Sequence, residues 1–70
     1  MQKDLEILGE HIKNHRTRLG LTQEQFAEKC GFDRTYISLL ERGKRNLSFT
    51  NLCKVAEGLE ISASELIKDI

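Results

Sequence analysis

Residues 22 to 43 read Thr22-Gln23-Glu24-Gln25-Phe26-Ala27-Glu28-Lys29-Cys30-Gly31-Phe32-Asp33-Arg34-Thr35-Tyr36-Ile37-Ser38-Leu39-Leu40-Glu41-Arg42-Gly43. Thr22 is of the type that caps a helix N-terminus, and Gln25, three places on, can close a capping box. Phe26, Ala27 and Cys30 stand at i, i+1 and i+4, one face of a helix. Gly31 suits the left-handed stop of that helix. Asp33 is placed to cap a second helix whose inner face carries Ile37 and Leu40. The outward face of this second helix carries Arg34, Thr35 and Ser38, with Tyr36 beside them. These groups can hydrogen-bond base edges or touch a thymine methyl.

Two short helices joined by a glycine turn, the second presenting such groups, describe a DNA-binding helix-turn-helix. Outward from it the chain reads as three more helices. A first helix is expected to run to about Leu19, with Leu8, Ile12, His15 and Leu19 on its apolar stripe and Leu5 extending it upstream. Gly9 weakens that helix, because an interior glycine costs about 1 kcal/mol relative to alanine. A fourth helix is expected after Ser48, burying Leu52, Val55, Ala56 and Leu59. A fifth is expected after Ser62, with Glu65 at the capping-box position and Leu66, Ile67 and Ile70 along it. Gly20, Gly31, Gly43 and Gly58 fall where helices should stop. No segment alternates as a strand does, so the expected fold class is all-α. Residues 1–70 read as one domain, with the helix-turn-helix at about 22–43.

Seventy residues leave room for one core of roughly fifteen to twenty apolar side chains, and not for a core plus a deep catalytic cavity. A hydrophobic fraction of 39% with 31% charged residues is ordinary for a soluble globular chain. No stretch approaches the ~20 apolar residues of a membrane span. The start, Met1-Gln2-Lys3-Asp4-Leu5-Glu6, lacks the apolar run of a signal peptide. A cytoplasmic location, with Cys30 and Cys53 as free thiols, is therefore expected. The net charge of zero speaks at first against a nucleic-acid partner. Its distribution does not: residues 11 to 20 carry Lys13, Arg16 and Arg18 and no acid, and residues 34 to 46 carry Arg34, Arg42, Lys44 and Arg45 against Glu41 alone. On charge alone, a basic DNA-facing surface and an ordinary solvated one stand about equal.

Other chemistry has little support. His11 and His15 have the i, i+4 spacing of a helical metal site, which Cys30 and Cys53 could in principle complete. Both cysteines fall on apolar helix faces where small hydrophobes suffice, so no metal is expected. Nothing supplies an oxyanion hole, an orienting third group for a Cys/His pair or a glycine-rich phosphate loop. Neither an enzymatic activity nor a cofactor is expected.

The string Arg16-x3-Gly20-Leu21-Thr22-Gln23-Glu24-x-Phe26-Ala27-x3-Gly31-x5-Ile37-x3-Glu41-Arg42-Gly43-Lys44 resembles the Cro and lambda-repressor-like, or Xre-like, helix-turn-helix family over about residues 9 to 68. Within it, Asp33-Arg34-Thr35-Tyr36-Ile37-Ser38, then Glu41-Arg42 and Arg45-Asn46-Leu47, resembles the recognition region of controller proteins from restriction–modification systems. The resemblance implies a five-helix DNA-binding domain. It implies base reading by Arg34, Thr35 and Tyr36, with Ser38 one turn on and Arg45 reaching a base or the minor groove. Thr22, Gln23, Lys44 and Asn46 would hold the DNA backbone, with Gln23 clamping a phosphate. It also implies an ion pair between Arg16 and Glu41. Three residues depart from the family pattern: His15 replaces a core leucine, Leu47 stands where many members have proline, and Leu39 replaces a polar base reader. Tyr36 has two readings, DNA-facing or packed inside; the resemblance favours the first.

The expected function is that of a sequence-specific transcriptional regulator, bound as a homodimer to a two-fold symmetric operator in double-stranded DNA. The subgroup points to control of restriction–modification genes, with RNA polymerase as a candidate further partner. Leu59, Ile61, Leu66, Ile67 and Ile70 form the expected dimer interface, in a dimerisation surface at about residues 49–70 with Phe49 and Leu52 nearby. A phage-type repressor, an antitoxin of the same fold, and a protein-interaction module that does not bind DNA remain the alternatives.

Overall fold

In four of the five helices a polar residue in extended conformation marks the start. The computed structural model describes residues 2–70. They form α1 (Gln2–Arg18), α2 (Gln23–Cys30), α3 (Arg34–Glu41), α4 (Phe49–Leu59) and α5 (Ala63–Leu66), with no strand among the described residues. At α2, Thr22 Oγ1 accepts from the Gln25 N–H at 3.1 Å and Gln25 Oε1 accepts from the Thr22 N–H at 2.9 Å, the reciprocal capping box. Ser48 Oγ accepts from the Asn51 N–H and Ser62 Oγ from the Glu65 N–H, both at 3.1 Å, opening α4 and α5. Asp33 occupies the cap position of α3, but its side chain makes no capping bond.

The helix ends follow the glycines at three places. Gly20, Gly31 and Gly43 all take positive φ, and Gly31, at φ 81°, closes α2 by donating to Ala27 and Glu28 carbonyls. Gly58 corrects the fourth expectation. It lies inside α4, and the left-handed cap is Glu60 at φ 64°. The carboxylate of Glu60 is held by Lys29 Nζ at 2.8 Å. Gly58 is needed for space instead: a Cβ there would stand 2.5 Å from Cys30 Sγ and 3.2 Å from Phe26 Cε1. Gly9 has the same role in α1, where a Cβ would meet the Leu40 carbonyl oxygen at 2.5 Å and that of Glu41 at 2.6 Å. The helix propensity lost at Gly9 is exchanged for backbone contact between α1 and the end of α3.

Ile12, Phe26, Ala27, Ile37, Leu40, Val55, Ala56, Leu59 and Leu66 form the sealed centre. Among the described residues nine more apolar side chains pack half-buried against it, which together meets the expected size of core. α3 lies on α1 and α2, α2 also on α4, and α4 on α5, while α1 touches both α4 and α5. The helix-turn-helix is therefore clamped between α1 and α4. Two members of the expected α1 stripe depart from it. Leu19 is 39% exposed, because α1 ends at Arg18 and the chain turns away there. His15 is half-buried and lines a polar cleft with Arg18 and Lys68 rather than the core.

Candidate nucleic-acid interface

α3 separates its two faces cleanly. Ile37 and Leu40 are buried, whereas Arg34 and Thr35 are exposed and Ser38, one turn on, is half-buried. The segment that follows, Arg42 and Lys44 to Asn46, is exposed apart from the buried Gly43. The single acid of residues 34–46, Glu41, has a side chain only 3% exposed and is turned inward onto Arg16. Every exposed charge of this segment is thus positive, and the neutral chain presents a basic surface here. Arg16, by the same contact, is removed from the basic surface expected of residues 11–20.

The ion pair of Arg16 and Glu41 supports this surface. Arg16 Nε donates to Glu41 Oε2 at 2.6 Å, Nη2 donates to Oε1 at 3.0 Å, and Nη1 donates to the Leu21 carbonyl at 2.7 Å. Gln23 Nε2 donates to the same Oε1 at 3.0 Å. One network thus ties α1, the loop before α2, the first residue of α2 and the last residue of α3. Gln23 is half-buried with its amide anchored at the foot of α3, while Thr22 is exposed and engaged in its cap.

Tyr36 is partly packed, in line with the second of its two readings. The ring is half-buried, tilted by 60° against Phe32 with centroids 4.9 Å apart, and Arg45 lies 5.2 Å from the ring centroid. Its hydroxyl accepts from Asn51 Nδ2 at 3.0 Å. This contact joins the first turn of α3 to the first turn of α4, the Arg45 contact adds the loop after α3, and Asn51 lies outside the residues expected to form the site. As the third residue behind a serine cap it reads as ordinary helix-start chemistry, and nothing in the local pattern signals a partner fifteen positions upstream. Asn46 Oδ1 accepts from the Leu47 N–H at 2.9 Å, which shapes the same loop.

The expected dimer surface needs correction. Leu59 and Leu66 are 2% and 0% exposed and belong to the core, because the inner faces of α4 and α5 close over α1 and α2. Ile61 is half-buried against the core. Ile67 at 42%, Ile70 at 47% and Phe49 at 77% are the large apolar residues left exposed in this half of the chain.

Cys30 and Cys53 are free thiols. Burial pushes the Cys30 thiol up to about 11, against the smaller opposing effect of Lys29. His11 Nδ1 lies 2.7 Å from the Leu66 carbonyl oxygen and so donates to it, which ties α1 to α5. No group of three or more metal-ligating side chains occurs among the described residues. No helix among them is long and apolar enough to cross a membrane.

Fold, cap chemistry and basic recognition surface define a helix-turn-helix regulator, and comparison agrees. A helix-turn-helix family profile matches residues 12–66, and the chain belongs to this family of DNA-binding transcriptional regulators. Control protein C.MunI from Mycoplasma sp is 48% identical over 69 residues, spanning 96% of this chain and 93% of that protein. Control protein C.SmaI from Serratia marcescens is 40% identical over 62 residues, 89% of this chain and 74% of that protein. The crystal structure of the restriction–modification controller protein C.AhdI from Aeromonas hydrophila superposes with a TM-score of 0.89. It is 42% identical, over 91% of this chain and 97% of that one. The all-α five-helix fold is the same in both.

Proposed function

We propose that the protein is a homodimeric controller of a restriction–modification gene pair, acting in the cytoplasm on a two-fold symmetric operator and without enzymatic activity. The observation that carries this reading is the exposed row of α3, Arg34 and Thr35 with Ser38, continued by Arg42, Lys44 and Arg45 with no exposed acid among them. The near full-length similarity to C.MunI and C.AhdI supports the narrower assignment.

In this reading Arg34, in the first turn of α3, binds guanine O6 and N7 bidentately, and Thr35 and Ser38 meet neighbouring base edges. Lys44 and Asn46 hold phosphates, as do Thr22 and Gln23 at the start of α2, with Gln23 aligned by Glu41. Arg45, whose guanidinium lies 5.2 Å from the Tyr36 ring centroid, reaches a base or the minor groove in this reading. One such helix reads too few base pairs to select a site in a genome, so the readout is doubled by a second copy. A regulator that activates as well as represses needs RNA polymerase as a partner.

The test is genetic and biochemical together. Purified protein should protect a two-fold symmetric site upstream of an adjacent methyltransferase or nuclease gene, and its removal should change the transcript levels of that pair. Protection of a phage operator, or of a promoter for an adjacent toxin gene, would replace the controller reading with the repressor or antitoxin one. No sequence preference on DNA at all would overturn both.

A further inference from the structure

Asn51 stands at the third position of α4, with its backbone N–H held by Ser48 Oγ and its side chain extended to Tyr36. A phenol has one proton to donate and two lone pairs that accept. Asn51 Nδ2, at 3.0 Å, occupies the accepting side of the Tyr36 oxygen. The Tyr36 O–H must then point away from the amide. The rest of the side chain is held as well, by Phe32 tilted against the ring and by the Arg45 guanidinium beside it. What remains is one O–H, on a fixed ring, beside the basic segment and free for an acceptor.

We propose that Asn51 is a positioning residue for DNA recognition: its amide fixes Tyr36 and makes the phenol a hydrogen-bond donor toward an acceptor atom of DNA. This rests on the proposed function, in which the α3 surface carrying Tyr36 meets DNA. The acceptor is either a phosphate oxygen or a base-edge acceptor such as guanine N7 or thymine O4, and both take the same proton. Asn51 itself touches no DNA in this scheme. It acts through a residue on another element, and so ties the start of α4 to the reading surface of α3.

A double-mutant cycle tests it, with Asn51→Ala, Tyr36→Phe and the double variant binding a duplex that wild-type protein recovers from a randomised pool. Thermal melts by circular dichroism establish folding, and Asn51→Gln, which displaces the amide by one methylene, replaces Asn51→Ala where that variant melts too early. Each single variant should lose affinity by about three- to tenfold, the scale of one hydrogen bond. In the Tyr36→Phe background the Asn51 substitution should add almost nothing, because its target is gone. A purely structural role would instead lower the melting temperature and leave the two effects on binding additive. Additive losses overturn the inference, as does an Asn51→Ala protein that binds like wild type while Tyr36→Phe does not. If Tyr36→Phe also binds like wild type, the DNA-facing reading of Tyr36 fails, and the inference with it. Duplexes with single-base changes separate the acceptors: an Asn51→Ala loss equal on all of them indicates phosphate, and a loss confined to one position indicates a base.

Discussion

Arg16 and Glu41 meet through two parallel hydrogen bonds, Nε to Oε2 at 2.6 Å and Nη2 to Oε1 at 3.0 Å, with side chains only 10% and 3% exposed. The two residues are 25 positions apart, and the pair fixes the C-terminal end of the recognition helix to α1. Gly9, whose missing Cβ lets α1 approach the Leu40 and Glu41 carbonyls, brings the same two elements together through the backbone. The guanidinium has a third engagement at the Leu21 carbonyl, so each of its three nitrogens donates one hydrogen bond.

Arg16→Ala should therefore cost about 3–5 kcal/mol, because it leaves the Glu41 carboxylate buried and short of its partner. That is a large share of the total stability of a domain this size. Arg16→Lys keeps the charge but not the fork and should fall between alanine and wild type. Urea unfolding followed by circular dichroism measures both. A loss below about 0.5 kcal/mol for alanine, the range of ordinary surface changes, would show that the pair does not hold the helices together.

Base readers and backbone contacts should separate in titrations against the operator and its single-base variants. Arg34→Ala should lose roughly 1–3 kcal/mol of discrimination at one position of each half-site. Lys44→Ala should weaken all sequences alike and flatten the dependence on salt. If Arg34→Ala instead weakened every sequence equally, Arg34 would be a phosphate contact and the assignment of readers would fail.

Local pattern reaches only as far as bonds and faces within one helix. Thr22 with Gln25, Ser48 and Ser62 could be read as caps because a cap is a bond over three residues. The inner face of α3 was legible from spacing alone. What spacing cannot show is which face of a helix a neighbour covers. Leu59 and Leu66 looked available for a partner and are core, since α4 and α5 close over the bundle. Gly58 looked like a helix stop, because a glycine needed for room beside Phe26 and Cys30 is indistinguishable from one needed for φ. Asn51 was invisible for the same reason: its partner, Tyr36, lies on another helix.

The two cysteines should differ chemically. Cys30 is half-buried, and burial raises its thiol from 9.0 to about 11. In a Cys53→Ser protein at pH 8, the remaining thiol should react with iodoacetamide roughly tenfold more slowly folded than in urea, because the smaller thiolate population is only partly offset by the greater nucleophilicity of a more basic thiolate. The sign for stability follows. The folded state holds this proton more tightly than the unfolded chain, so the contribution is complete below pH 9 and is lost as pH rises from about 9 toward 11. Urea midpoints of Cys53→Ser should thus fall across that window more steeply than those of a protein also carrying Cys30→Ala. Equal slopes would mean that the Cys30 thiol is not shifted.

The dimer joins the chain to its proposed function. Two recognition helices on one face of B-DNA must sit about 34 Å apart, one turn, which places half-site centres ~10 bp apart. These 70 residues are 28 Å in their longest extent and carry one recognition helix, and in the proposed function a second copy supplies the other. With Leu59 and Leu66 in the core, the residues left to hold the two copies together are Ile67, Ile70 and Phe49, exposed at 42%, 47% and 77%. Ile67→Asp and Ile70→Asp should then give monomers that keep the helical spectrum of wild type, because neither side chain is part of the core. Their operator affinity should drop while single half-site binding is unchanged, since each copy retains its α3 surface. Sedimentation equilibrium and titrations on full and half operators measure the two effects. A wild-type protein that stays monomeric at tens of micromolar and binds one half-site as tightly as the whole operator would refute the dimer.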